Sequence, residues 1–317
     1  MDSDNDMRKI HNGSIPRLGG VGIYLAFYLP FLGFLFYQNR ISHFLFADIR
    51  QFLGLLICST IILGLGIYDD IKGANAQKKL IVQTIAAIIL FLFGFEIQKL
   101  SNPVGEAIYL GWLSLPVTVF WLVGLSNAFN LIDGIDGLAS GVAFFAASAL
   151  LAVALFYDNI VPSLFAAGLA GATLGFLRYN FNPAKIFMGD SGSLFLGFTI
   201  GAISIHGSAK AHAAVAILIP IVALGLPIID TLLAIARRIY RGRPIPTADK
   251  EHIHHKLIKY GLSHRRAALM LYGFCIVLGS LAVLLTVGSS MEIGIILAFL
   301  GVLVFWGVKR FKIYGKV

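Results

Sequence analysis

Long apolar runs recur along the chain, separated by short polar stretches where glycine and charged residues gather. The runs cover roughly 19–37, 51–68, 80–95, 112–129, 138–156, 161–178, 191–206, 211–236, 267–287 and 290–308. Each is near the ~20 residues that cross a ~30 Å hydrocarbon core. The apolar character is continuous along each run, which predicts helices and argues against barrel strands. The expected fold is all-α: a polytopic membrane bundle of about ten helices, forming a single domain over 1–317. The runs at 161–178 and 191–206 are short and rich in small residues.

Ten crossings put both termini on one side. With the N-terminus inside, lysine and arginine divide 21 to 4 between inner and outer segments. The positive-inside rule then makes both termini cytoplasmic. It also makes the stretch at about 237–266, rich in His and Arg, a cytoplasmic loop. The basic residues of that loop suit topology and substrate binding alike.

Composition agrees with the spans. Apolar residues are 58% of the 317, and the 34 glycines bring the share to roughly 69%, against ~45–50% in soluble domains. Charged residues are 13%, too few to cover a soluble globule of this size. Disorder, collagen and coiled coil are excluded on the same figures. Cys58 and Cys275 each sit in an apolar run, so no disulfide framework is indicated. The net charge of +9 is a topology signal and not a nucleic-acid footprint.

The acids carry the chemistry. Of 16 carboxylates, Asp69, Asp70, Asp133, Asp136, Asp190, Asp230, Asp249 and Glu251 all map to inner span ends or inner loops. Charges in or beside spans are costly and functional by default. Asp69 and Asp70 close an apolar helix, where two carboxylates oppose the macrodipole and repel each other. They suit either a solvated helix end or a Mg²⁺ site built on hard oxygen ligands. Asn127, Asn130, Asp133 and Asp136 repeat at intervals of three, with Gly134 and Gly137 allowing a close turn. Turns and caps account for some of these residues. Phe187-Met-Gly-Asp190-Ser-Gly-Ser193 opens the next span, as a helix start able to present N–H groups to phosphate. Asp190 suits a metal ligand or an N-cap, and Phe187 a stacking platform or interfacial packing. His252, His254 and His255 lie in the basic loop. Their spacing fits no structural zinc pattern.

Acids, histidines and basic residues on one face suit a phosphate-rich substrate held by Mg²⁺. A transporter would carry its charges nearer the bilayer midplane. A CDP-alcohol phosphotransferase needs an arginine that Asp136-Gly-Leu-Ala-Ser lacks.

Five motifs, in order over nearly the whole chain, carry a resemblance. They are Ile15-Pro-Arg-Leu-Gly-Gly20, Tyr68-Asp-Asp70, Asn127 to Ala139 (NAFNLIDGIDGLA), Phe187 to Ser193 and His252-Ile-His-His255. Together they resemble the polyprenyl-phosphate N-acetylhexosaminyl-1-phosphate transferases. They look most like the bacterial undecaprenyl-phosphate N-acetylglucosaminyl-1-phosphate branch, and less like the muramoyl-pentapeptide branch. The resemblance implies transfer of N-acetylglucosamine-1-phosphate from UDP-N-acetylglucosamine to undecaprenyl phosphate, with release of UMP. It implies Mg²⁺, with Mn²⁺ as the alternative, held by Asp190 with Asp69 and Asp70. Asp69 and Asp70 would also orient or deprotonate the lipid phosphate. Asn180, Asp133, Asp136 and Phe187 would hold the nucleotide, with Asn127 and Asn130 as further substrate-binding residues. Arg265, His252, His254 and His255 would contact phosphate or sugar, and Lys185 would bind substrate. The implied setting is the bacterial inner membrane, with the site on its cytoplasmic face, a homodimer, and a role in starting teichoic acid, O-antigen or related glycans. Another UDP-N-acetylhexosamine, or a non-enzymic carrier of lipid or nucleotide, is the competing expectation. Relatives usually carry one more helix ahead of the Pro-Arg-x-Gly-Gly segment, so a further apolar segment is expected before residue 1.

Overall fold

A computed structural model describes residues 16–36, 40–100, 108–208, 217–242, 251–288, 292–295, 298–299 and 301–302. The expected last run, 290–308, lies mostly outside these residues, as do both termini. The helices are α1 (Gly19–Phe36), α2 (Arg40–Ala47), α3 (Ile49–Lys72), α4 (Ala76–Leu92), α5 (Ser114–Ile132) and α6 (Leu138–Phe156). They continue as α7 (Ile160–Asn180), α8 (Gly189–Ser208), α9 (Leu218–Ala223), α10 (Gly225–Tyr240), α11 (Ile253–Lys259) and α12 (His264–Val287). The described sheet is one two-stranded pair, β1 (Lys99–Leu100) with β2 (Ile108–Tyr109), and Lys99 lies opposite Tyr109. Among the described residues, five helical segments are long and apolar enough to cross a membrane: Ile49–Lys72, Gly111–Ile132, Leu138–Phe156, Ile160–Asn180 and His264–Val287. The chain is an all-α, multi-pass membrane bundle.

The expected run at 138–156 coincides with α6. The run at 211–236 needs correction, because it is not one helix. It divides between α9 and α10 around Leu224. Pro227 explains the break: its ring clashes with the carbonyl four residues earlier, at Ala223, and it lacks the N–H to bond there. The loop around 237–266 also holds a helix, α11, that no apolar run announced.

The centre of the bundle is α8. Every residue from Ser191 to Ile205 is buried. It packs on α1, α3, α5 and α6. Small residues allow that approach, as in helix pairs packed within lipid. A Cβ on Gly20 would lie 2.2 Å from the Gly192 nitrogen, and one on Gly66 would lie 2.3 Å from Ser191 Cα. An aromatic cluster of Phe27, Phe31, Phe165 and Phe195 ties α1 to α7 and α8, with centroids 5.4–6.1 Å apart in edge-to-face pairs. The start of α1 is thereby held against the start of α8. Gly19 and Gly20 donate to the Phe187 and Met188 carbonyls at 3.0 Å, and Phe187 donates to the Pro16 carbonyl at 2.9 Å.

Candidate active site

The end of α3 meets the start of α8. Asp70 accepts hydrogen bonds from the backbone N–H of Asp190 (2.8 Å) and of Ser191 (3.0 Å). It therefore caps α8 from another helix and satisfies two of the N–H groups left open at a helix start. Gly189, at φ +72°, makes the turn; a Cβ there would sit 2.5 Å from the Asp70 carboxylate. Asp69 accepts from the Ala74 N–H at 2.5 Å and pairs with Lys79. Asp190 Oδ2 lies 2.5 Å from the same Lys79 ammonium. Lys79 stands in the first turn of α4, which Asn75 opens by accepting from the Lys78 N–H at 2.8 Å. One lysine thus joins two of the three acids.

The second wall is the turn from Asp133 to Gly137. Asp136 accepts from Asn182 Nδ2 (2.9 Å) and the Ala184 N–H (3.0 Å), which ties the turn to the segment after α7. Asn180 accepts from the Gly137 N–H and the Ser140 hydroxyl and donates to the Ile186 carbonyl. It is buried, and its amide holds two loops together. Asp133 makes no hydrogen bond or ion pair among the described residues. Burial, then the negative charges of Asp190, Asp70 and Asp136, push its pKa up to about 7. Asp70, Asp133, Asp136 and Asp190 line one cavity of about 240 Å³, with Arg17, Asn180 and Phe187 on the same lining.

The histidine motif reaches this turn from outside. His252 Nδ1 is 2.7 Å from Asp230 Oδ2, and the Ile253 N–H donates to Asp230 Oδ1 at 2.9 Å. His254 is buried, and a Cβ on Gly134 would lie 2.2 Å from its Nε2. Burial, with His255 beside it, pulls the His254 pKa down to about 3. The His255 and His254 rings are 4.2 Å apart.

Other candidates are not on the cavity lining. Asn127 donates to Gln83 Oε1 (2.9 Å) and to the Val123 carbonyl (2.8 Å), within the bundle. Asn130 donates to Ser193 Oγ at 3.0 Å, joining α5 to α8. Lys185 is exposed, and Arg265 lies over the Phe181 ring at 5.7 Å. Three residues important to the geometry went unassigned from sequence. Arg17 and Lys79 read as topogenic charges, and Asp230 as an inner acid without a role. The Arg17 signal was present in the Pro-Arg-Leu-Gly-Gly motif. Nothing local marks Lys79, whose partner Asp190 is 111 residues away.

Residues 52–208 match the model of glycosyl transferase family 4. A probable undecaprenyl-phosphate N-acetylglucosaminyl 1-phosphate transferase of Bacillus subtilis (strain 168) is 40% identical over 266 residues, covering 84% of this chain and 72% of the relative. The chain belongs to glycosyl transferase family 4. A decaprenyl-phosphate N-acetylglucosaminephosphotransferase of Mycobacterium leprae (strain TN) is 35% identical over 293 residues, 84% of this chain and 72% of its own. A phospho-N-acetylmuramoyl-pentapeptide-transferase of Listeria monocytogenes (serovar 1/2a, strain EGD-e) is 38% identical over 202 residues, 60% of each chain. As a member of this glycosyl transferase family the chain is an enzyme.

The donor chemistry of this family 4 site suits a hard divalent cation. Among the described residues no three His, Cys, Asp or Glu side chains form a ready cage. Mg²⁺ does not require one, since it keeps several waters and binds through one or two carboxylates and substrate phosphate. Asp133, without a partner, and Asp190, on the same cavity, offer that set.

Proposed function

We propose that the enzyme transfers N-acetylglucosamine-1-phosphate from UDP-N-acetylglucosamine to undecaprenyl phosphate and releases UMP. The observation that carries this is the four-carboxylate cavity at the joined ends of α3, α5 and α8, at one end of a membrane bundle. The name of the 40% identical relative supports the donor and acceptor. A lipid phosphate oxygen attacks the sugar-bearing phosphorus, the phosphorus–oxygen bond to UMP breaks, and UMP leaves with that electron pair.

The main obstacle is repulsion between two anions. Mg²⁺ held by Asp133 and Asp190 would offset it by drawing charge from the phosphoryl oxygens. Arg17 adds positive charge at the cavity lining. Lys79 holds Asp190 and Asp69 in place and keeps the acid cluster from repelling itself apart. Asp70 fixes the start of α8, so that Asp190 is presented from a rigid helix end. Phe187 offers a flat face for the uracil ring. The histidine run closes the far side of the Asp133 turn, where it would meet the sugar or phosphate.

The 21-to-4 charge asymmetry supports a site on the cytoplasmic face of a bacterial inner membrane, where UDP-sugars are available. Such a lipid-linked sugar would start a surface glycan. A second reading, the muramoyl-pentapeptide branch, is favoured by the Listeria relative, but over a smaller share of the chain.

The test is UMP release by purified protein in lipid, across a panel of UDP-sugars. UMP should appear with UDP-N-acetylglucosamine and depend on both undecaprenyl phosphate and Mg²⁺. Release without the lipid acceptor, or with the muramoyl-pentapeptide donor alone, overturns the assignment.

A further inference from the structure

We propose that Asp230 is a positioning residue for this reaction: it fixes the proton placement on His252 and seats α11 against the Asp133–Gly134 turn. The inference rests on the transfer reaction proposed above. Asp230 is 1% exposed, and both of its carboxylate oxygens are used on the histidine motif, one on His252 Nδ1 and one on the Ile253 N–H.

The need for such a clamp follows from length. At seven residues, α11 is too short to hold itself as a helix. Its first N–H is bonded by a carboxylate that belongs to α10. The clamp then passes inward through rings. His252 and His254 lie parallel, 5.8 Å apart, and His254 rests on Gly134 so closely that no Cβ fits there. Asp230 is thus linked through the histidine rings to the turn that carries Asp133, although it does not itself line the cavity.

A second consequence concerns the proton. An ionised carboxylate only accepts, so Nδ1 of His252 carries hydrogen. In the neutral ring Nε2 is then the lone-pair nitrogen, as it is when a carboxylate fixes a metal-bound or catalytic histidine. Asp230→Asn separates the two roles. The amide oxygen still accepts from the Ile253 N–H, so α11 stays seated. The amide NH₂ faces Nδ1, which must now accept, and the hydrogen moves to Nε2.

The experiment uses full-length protein in lipid with ¹⁵N-labelled histidine. Wild type should show an imidazole signal hydrogen-bonded at Nδ1 that His252→Gln removes. In Asp230→Asn the same ring should carry its hydrogen on Nε2. UMP release should fall about 10–100-fold in kcat, with KM for the UDP-sugar little changed. The double variant Asp230→Asn/His252→Gln should lose no more than the worse single variant, because both act through one ring. A wild-type His252 protonated only on Nε2, an Asp230→Asn enzyme with wild-type kcat, or losses that multiply in the double variant would each overturn the proposal. Absence of UMP release by wild type would sink the reaction instead, and the imidazole signal would still decide whether Asp230 holds His252.

Discussion

Asp70 and Asp133 line the same cavity and are held in opposite ways. Two backbone N–H groups at the start of α8 grip Asp70. Asp133 has no hydrogen-bond partner among the described residues, and three neighbouring carboxylates repel it. Bonds from N–H groups favour the charged form and fix its direction. A bare carboxylate among like charges costs stability, and such groups persist where they serve a ligand. One acid builds the site and the other is left for what enters it. Their neighbours divide in the same way. Asp136 and Asn180 line the cavity too but tie loops together, while Asp190 shares Lys79.

The contrast is easiest to break at Asp133. Asp133→Asn should lower kcat on the order of 10³-fold, since several kcal/mol of charge stabilisation would be lost. Its thermal stability should not fall, because a repulsion is removed. Near-normal turnover by this variant, beside a dead Asp70→Asn, would reverse the two roles.

The next effect belongs to the scaffold. Gly66→Ala places a methyl against the Ser191 backbone, which cannot yield as a side chain would. The expected cost is about 1–3 kcal/mol in denaturant unfolding, from overpacking between α3 and α8. Asp70→Ala should cost about 1 kcal/mol, as for other lost helix caps. Its activity should fall as the start of α8 loosens, while the Asp133 carboxylate stays in place. An Asp70→Ala protein with unaltered stability would mean that the two N–H bonds do not anchor α8.

A further effect sharpens the picture through pH. His254 titrates near 3 when folded, against about 6.5 in an unfolded chain. Between those values the unfolded state binds the extra proton, so stability is full above about pH 6.5 and declines as pH falls toward 3. A melting temperature followed from pH 7 to pH 5 should drop less steeply in His254→Gln than in wild type. Equal slopes would remove His254 from the account.

Much of the bundle was legible because lipid imposes a simple rule on any surface that faces it. Continuous apolar text marked α3, α5, α6, α7 and α12 on that basis. What escaped was decided by neighbours. α2 and α11, of eight and seven residues, are too short to print a period. The break at Leu224 was written in Pro227, but a run of apolar letters hid it. In the site, residue types told which groups were polar, not which were already occupied. Asn127 has the chemistry to read a nucleotide and uses it on Gln83 and the Val123 carbonyl within the bundle. Lys79 was hidden in the charge count, because its role exists only once α3, α4 and α8 meet.

The burial of α8 also bears on how the protein is made. A helix rich in glycine and serine, with no lipid-facing stretch between Ser191 and Ile205, has little reason to leave the insertion machinery for bare bilayer. Its main docking surfaces, on α1, α3, α5 and α6, are all synthesised before it, and chains assemble largely in order of synthesis. The slot is therefore standing when α8 emerges. A circularly permuted chain that began at α8 would send its least self-sufficient helix first and should depend on chaperones or degrade, even though the finished set of contacts is the same.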